Sequence, residues 1–315
     1  MIQYIIETRK LTKYYGKSIR AVNGINLRIP KGALFTFLGP NGAGKSTTIS
    51  MLTTILPPTK GTAIISGFDI RKHTKKIRQI IGVCPQELSI YDNLTARENI
   101  YLIAKMHKMR KRDYVERTDE LLGKMGLTDR ANDKVKKFSY GMKRRVNVLM
   151  AVVHDPEIIF FDEPSTSLDP QSRRVVWDFI KEFQNKNKTI ILTTHNMEEA
   201  DVLSNNLVII DHGRIIAAGT PEELKGTLGR GDIINFRINS YMRSDEVIPR
   251  IQMLDFIDSV YKIDDKRIEL RALDGLRRIS EIMDAVQVKM LDITIRRNSL
   301  EDVFINLTGR SLRDT

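Results

Sequence analysis

The sequence predicts an α/β chain with a helical insertion, followed by a smaller α+β domain. Three observations predict it. A glycine-rich loop, Gly39 to Gly44, stands between an apolar run, Ala33 to Leu38, and a helical stretch, Lys45 to Ile55. From Glu157 to Ile210, short apolar strands alternate with helical stretches, as in a parallel sheet buried on both faces. Beyond Gly226 to Gly231, which holds three glycines, the order reads β-α-β-β-α-β plus one helix.

The elements follow in order. Residues 2 to 38 are strand-like, and the helical stretch after the loop is closed by Pro57 and Pro58. Thr62 to Ser66 and Ile80 to Cys84 read as short strands. Tyr91 to Val153 is helical and highly charged, and Thr95 with Glu98 fits a capping box that opens a helix. Asp155-Pro156 stops this region before the apolar strand Glu157 to Phe161. Helix Arg173 to Gln184, strand Thr189 to Thr193, helix Met197 to Leu203 and strand Leu207 to Ile210 then alternate. In the last part, Ile268, Leu270 and Ala272 share one face of a strand. Leu300, Val303, Phe304 and Leu307 make a helical stripe with Ser299 as its cap. The predicted domains are 1–228, with a helical subdomain at about 88–155, and 232–315, a small α+β domain of ferredoxin-like order.

Composition narrows the function classes. The 315 residues are 41% hydrophobic and 29% charged, a globular balance. No apolar run approaches the roughly 18 residues of a membrane-spanning helix. The start, MIQYIIETRK, lacks the charge and apolar pattern of a signal peptide. The single cysteine, Cys84, excludes an intrachain disulfide and a multi-cysteine zinc site, and a reducing cytosol is the expected compartment. Lys and Arg number 51 against 39 acids, a net charge of +12. That favours anionic partners such as nucleic acid, phosphates or an anionic membrane surface, and equally suits a solvated surface. The basic clusters Arg71 to Arg78, Lys105 to Arg112, Lys134 to Lys137 and Lys143 to Arg145 are not interleaved with aromatics. A stacking platform for single strands is therefore not indicated.

The strongest chemical signal is Gly39-Pro40-Asn41-Gly42-Ala43-Gly44-Lys45-Ser46, with Thr47 next. It fits G-x-x-x-x-G-K-[ST] between a strand and a helix. Glycines let backbone N–H groups turn inward around phosphate oxygens, and the helix presents its positive end to the same anion. Lys45 can reach the β and γ phosphates, and the Ser46 hydroxyl can ligate Mg²⁺. Hydrolysis needs carboxylates as well. Ile158 to Phe161 ends in Asp162 and Glu163, and the buried strand brings both out beside the phosphate loop. Asp162 would hold Mg²⁺, and Glu163 would act as general base on the attacking water.

With those two motifs, Phe138-Ser139-Tyr140-Gly141-Met142 resembles the signature motif of ATP-binding-cassette (ABC) ATPases. Gln86 resembles their Q-loop glutamine, Ser167-Leu168-Asp169 their D-loop, and His195 their switch histidine. Tyr15, with Tyr14 as rival, resembles the aromatic residue that stacks on adenine. The resemblance covers residues 1 to about 228 and implies a P-loop NTPase fold, a mixed sheet with a helical subdomain. It implies ATP and Mg²⁺ as cofactors, with Gln86 joining the metal site and His195 orienting water against the γ-phosphate. In this family two subunits close head to tail, so Ser139, Gly141 and Asp169 would face the partner's nucleotide. One phosphate loop and one signature motif per chain then imply a homodimer with two composite sites. Tyr140 stands where the family usually has glycine, and Met142 where it has glutamine. Met142, with Lys143 to Arg145, and the tail Asn298 to Phe304 resemble the daunorubicin-resistance-type exporters. That branch implies a separate membrane permease, peripheral attachment at the cytoplasmic membrane face, and export of drugs, lipids or other amphiphiles. The tail helix would aid dimerisation or regulation, or simply pack within its domain.

Two other classes compete. A soluble ABC protein acting on nucleic acid or the ribosome suits the basic charge, but such proteins carry two cassettes or long insertions that this chain lacks, and no nucleic-acid partner is expected. A P-loop kinase or GTPase is opposed by the Ser139, Asp169 and His195 motifs and by the absence of Asn-Lys-x-Asp.

Overall fold

The computed structural model describes residues 3–16, 19–228, 231–239, 242–287 and 289–309. The chain divides into two compact units between Pro221 and Glu222.

The first unit opens with β1 (Tyr4–Tyr15), β2 (Ile19–Pro30) and β3 (Leu34–Leu38), then α1 (Lys45–Leu52). Next come β4 (Lys60–Ile65), β5 (Phe68–Asp69), α2 (Thr74–Ile80) and β6 (Ile81–Cys84). The insertion holds α3 (Ala96–Met106), α4 (Lys111–Lys124) and α5 (Tyr140–Val152). Then follow β7 (Ile158–Asp162), α6 (Pro170–Asn185), β8 (Thr189–Thr194), α7 (Met197–Leu203), β9 (Asn206–Asp211) and β10 (Arg214–Gly219). α8 (Pro221–Gly226) straddles the division.

A six-stranded sheet of order β10-β9-β3-β8-β7-β6 is parallel except for β10, and a four-stranded antiparallel sheet runs β2-β1-β4-β5. The strand period of two splits the apolar runs between two cores. Phe35, Phe37, Phe160 and Ile191 face α1 and the antiparallel sheet, against Ile6, Ile29, Ile49 and Ile65. Leu34, Ile159, Phe161 and Leu192 face the other way, against Val176 and Phe183 of α6 and Leu149 of α5. Both faces being covered, β3, β7 and β8 are buried at every position, as their uninterrupted apolar character requires. The Thr95–Glu98 capping box is present at the start of α3.

Some elements depart from the sequence reading. α1 ends at Leu52, short of Ile55, because Thr54 turns to a φ of +62°. α2, β5 and β10 are additional elements. α2 overlaps the basic run Arg71 to Arg78, and its only buried residue is Ile77.

The second unit contains β11 (Asp232–Asn239), α9 (Ser244–Gln252), β12 (Ile257–Lys262), β13 (Arg267–Ala272), α10 (Ile279–Val286), β14 (Lys289–Arg297) and α11 (Leu300–Thr308). Its antiparallel sheet has the order β12-β13-β11-β14, so the first and third strands are central, the ferredoxin-like arrangement. Ile234, Phe236, Ile268, Leu270 and Ala272 pack on Val247 and Ile251 of α9 and Ile282 and Val286 of α10. α11 carries the Ser299 cap and buries Leu300, Val303 and Phe304. Leu307, the fourth member of the predicted stripe, is instead 46% exposed, because the helix stops one residue later at Gly309 in the left-handed region. The division also falls earlier than residue 228. Asn298 donates to the Lys225 carbonyl at 3.3 Å and Arg271 to the Leu228 carbonyl at 2.7 Å, which ties the segment after Pro221 to the second unit.

Candidate functional site

Parallel strands deliver their C-terminal ends to one edge of the sheet, and the loops there form the site. β3 leads into the phosphate loop, β7 into Asp162 and Glu163, and β8 into His195. Gly44 has a φ of +102°, and a Cβ there would lie 2.2 Å from the Ala21 carbonyl oxygen, so only glycine fits where the loop enters α1. The first turn of α1 has no acidic residue and no side-chain cap, which leaves its positive end for an anion.

Lys45 is buried. Its ammonium donates to the carbonyls of Gly39 at 2.7 Å and Pro40 at 3.0 Å, and stands 3.4 Å from Glu163 Oε1. Burial lowers its pKa against the attraction of Glu163 and Asp162. Ser46 Oγ donates to Asp162 Oδ1 at 3.0 Å, and the Thr193 hydroxyl donates to the same oxygen. Burial raises the Asp162 pKa, against those two hydroxyls.

Glu163 is buried at a φ of +51°. Its backbone N–H donates to the Thr193 carbonyl and Thr193 Oγ1, both at 3.1 Å. Oε2 lies 2.8 Å from His195 Nδ1 and accepts from Thr166 Oγ1 at 2.8 Å. Oε1 is buried with no hydrogen-bond partner. Burial alone would push this carboxyl up, yet His195, Lys45 and Thr166 together hold it below its ordinary value. The same hydrogen bond raises His195 above the usual histidine range. The result is an ionised carboxylate at neutral pH with one oxygen oriented and the other open to a donor.

Hard divalent cations take oxygen ligands, and Mg²⁺ needs only one or two from protein. The Ser46–Asp162 oxygen pair fits that chemistry. Among the described residues no group of three or more His, Cys, Asp or Glu stands together as an alternative metal cluster.

Lys45, Ser46, Asp162, Glu163 and His195 are thus joined in one hydrogen-bonded cluster, inside the phosphate loop of Gly39, Pro40, Asn41, Gly42, Ala43 and Gly44. Thr47 is half-buried in the first turn of α1. The remaining predicted residues stand apart from it, exposed except for the half-buried Gly141. Tyr15 ends β1 and is 44% exposed, with Lys13 Nζ 5.7 Å from its ring centroid. Gln86 follows β6. Ser139 caps α5 by accepting from the Met142 N–H at 3.3 Å. Gly141 sits in the first turn, where a Cβ would lie 3.0 Å from Ser172 Oγ. Tyr140 keeps an ordinary helical φ and is 44% exposed, so its departure from glycine strains nothing in this chain. Asp169 caps α6 by accepting from the Ser172 N–H at 2.9 Å.

Sequence reasoning missed four residues here. Thr193 and Thr166 lie beside predicted ones, and hydroxyls next to a buried carboxylate are the signal. Glu199 is buried on α7, accepts from Trp177 Nε1 at 2.8 Å, and is raised by burial. Arg144, inside a run read as surface charge, is 1% exposed and donates to five carbonyls around the site. Every residue from Val146 to Val152 is buried, so spacing along α5 does not single out Arg144 and gave no signal for it.

Comparison with known proteins agrees with this geometry. Residues 22–166 match the ABC transporter family. The chain is 37% identical to the linearmycin resistance ATP-binding protein LnrL of Bacillus subtilis, over 98% of this chain and 100% of that protein. It is 36% identical to the daunorubicin/doxorubicin resistance ATP-binding protein DrrA of Streptomyces peucetius, over 98% and 94%. It is 34% identical to the Nod factor export ATP-binding protein I of Cupriavidus metallidurans, over 98% and 99%. Among solved structures, the ATP-binding subunit of an ABC transporter superposes with a TM-score of 0.66 at 27% identity, over 71% of this chain and 93% of that one. A dimeric ATP-binding cassette in a post-hydrolysis state with ADP and Pi gives 0.64 at 26%, over 68% and 98%. The chain belongs to the ABC transporter family, as one of its ATP-binding subunits and an ATPase.

Proposed function

We propose that the chain hydrolyses ATP in a head-to-tail homodimer and thereby powers a separate membrane permease that exports drugs, lipids or other amphiphiles. The observation that carries this reading is the Lys45–Glu163–His195 cluster, a buried carboxylate kept ionised between a cation and an oriented imidazole. The names of the relatives, resistance to linearmycin and daunorubicin and export of Nod factor, support an exporter of amphiphiles.

Tyr15 stacks on adenine. The backbone of Gly39 to Gly44 and the start of α1 at Lys45, Ser46 and Thr47 hold the phosphates. Lys45 exchanges its loop carbonyls for phosphate oxygens. Ser46 and Asp162 would hold Mg²⁺, with Gln86 joining them. An ion held there would offset the negative charge of the phosphates and of the transition state. Glu163 takes the proton of the attacking water through Oε1, the oxygen without a partner. His195 orients Glu163 through Nδ1, with its other ring nitrogen free for the γ-phosphate. Ser139 and the start of α5 serve the partner's nucleotide, as does the backbone at Gly141, and Asp169 lines the same junction. The first unit is the ATPase domain, and the second is an accessory or regulatory domain.

No helix among the described residues is long and apolar enough to cross a membrane. Peripheral attachment at the cytoplasmic face, aided by the +12 charge against anionic lipid, accounts for how such a chain meets a permease. Gentle purification from native membranes, with mass-spectrometric identification of what stays bound, tests the partner. A multi-span membrane protein in stable ratio is the expected result. Ribosomal proteins or nucleic acid without a membrane partner would overturn the transporter reading in favour of a soluble class.

A further inference from the structure

Burying a guanidinium is unfavourable unless its donors are satisfied. Arg144, on the second turn of α5, is 1% exposed and forms no ion pair among the described residues. Its five hydrogen bonds all go to backbone carbonyls on two segments. Nε donates to Pro164 at 3.0 Å. Nη1 donates to Pro85 at 2.7 Å and Gln86 at 2.9 Å. Nη2 donates to Asp162 at 2.9 Å and to Glu163. Its neighbours diverge: Lys143 pairs with Asp92 at 2.7 Å, and Arg145 donates to the Met125 carbonyl at 2.9 Å.

The acceptors explain why an arginine is needed. The carbonyls of Asp162, Glu163 and Pro164 converge because the chain turns at Glu163 with a φ of +51°. An L-residue held in that region is disfavoured by about 1–2 kcal/mol, so the turn needs outside support. Five fixed donors in one plane supply it, and a lysine has three on a single rotating atom. Ser139 caps α5 less than two turns before Arg144, on the same continuous helix.

We propose that Arg144 is a positioning residue that locks the Glu163 turn and the Gln86 segment to helix α5, so that the base and the glutamine move with the helix carrying Ser139. This rests on the reading of Glu163 and Ser139 given above. Since Ser139 serves the partner's nucleotide, Arg144 relays closure at one composite site to the base of the other.

The test is Arg144→Lys in the full chain. The expected result is a kcat at least about 30-fold lower with KM and the dissociation constant for ATP within about twofold of the unaltered chain, because the phosphate loop is untouched. A merely structural role would lower the melting temperature and weaken ATP binding together with turnover. That parallel loss, or an unchanged kcat, overturns the proposal. Should the variant not fold, hydrogen exchange on the unaltered chain decides. Amides of residues 140–146, 84–88 and 162–167 are expected to open with one common free energy. A 162–167 segment that opens while α5 stays protected would contradict the lock. If the unaltered chain fails to hydrolyse ATP, the functional reading fails, and the exchange result still decides Arg144.

Discussion

Glu163→Gln lowers ATP turnover by about 10²- to 10⁴-fold, the usual contribution of a positioned general base, and leaves ATP binding in place. The substitution keeps the shape and removes the charge. Glutamine still meets Thr166 and His195, which share Oε2 of the native carboxylate at 2.8 Å each. It cannot take a proton. ATP then stays whole, and the ATP-bound dimer accumulates. Turnover by single-turnover kinetics and dimer content by sedimentation check this. The pH dependence has a definite sign. His195, Lys45 and Thr166 outweigh burial and hold the Glu163 carboxyl below its ordinary value of 4.5. The base is therefore ionised at neutral pH, and its contribution to the rate is lost as pH falls through that lowered value.

Lys45→Ala acts one step earlier. A charge-assisted hydrogen bond contributes roughly 1.5–3 kcal/mol, so the loss of one phosphate contact weakens ATP binding by about 10- to 150-fold. A second loss accompanies it. Lys45 Nζ, 3.4 Å from Glu163 Oε1, is the cation nearest an oxygen that accepts no hydrogen bond. Without it, desolvation drives the Glu163 carboxyl upward and the base is less ionised at any given pH. Binding should fall, and turnover at saturating ATP should fall as well. Equilibrium binding of ATP measures the first, and kcat at saturating ATP the second. Binding unchanged in Lys45→Ala would contradict the phosphate loop as the ATP site.

Much of this site was legible because local rules carry it. The phosphate loop needs glycine where the chain passes close to Ala21, and strands buried on both faces read as uninterrupted apolar runs. The Thr95 capping box and the exact span Met197–Leu203 follow from local hydrogen bonding and periodicity. The rest depends on tertiary contacts. α2 hides in a basic run because a single residue, Ile77, faces inward. Of three consecutive basic residues, Arg144 alone is buried, and nothing in its type distinguishes it from Lys143 and Arg145. Spacing does not either, since every residue from Val146 to Val152 is buried. Leu307 shows the reverse error: the spacing continues to it, but it lies exposed one residue before the end of α11.

The proposed head-to-tail dimer requires that each ATP site be completed by the partner subunit. Mixing two inactive variants tests it most directly. Lys45→Ala destroys the phosphate loop, and Ser139→Arg blocks the start of α5, which now stands exposed with Ser139 as its cap. A mixed dimer of the two contains one site with both defects and one with neither. Mixing them in equal amounts should restore ATPase activity to about a quarter of the unaltered level, since half the dimers are mixed and each has one intact site. Activity no greater than the sum of the separate variants would contradict a composite site and place the whole reaction within one chain.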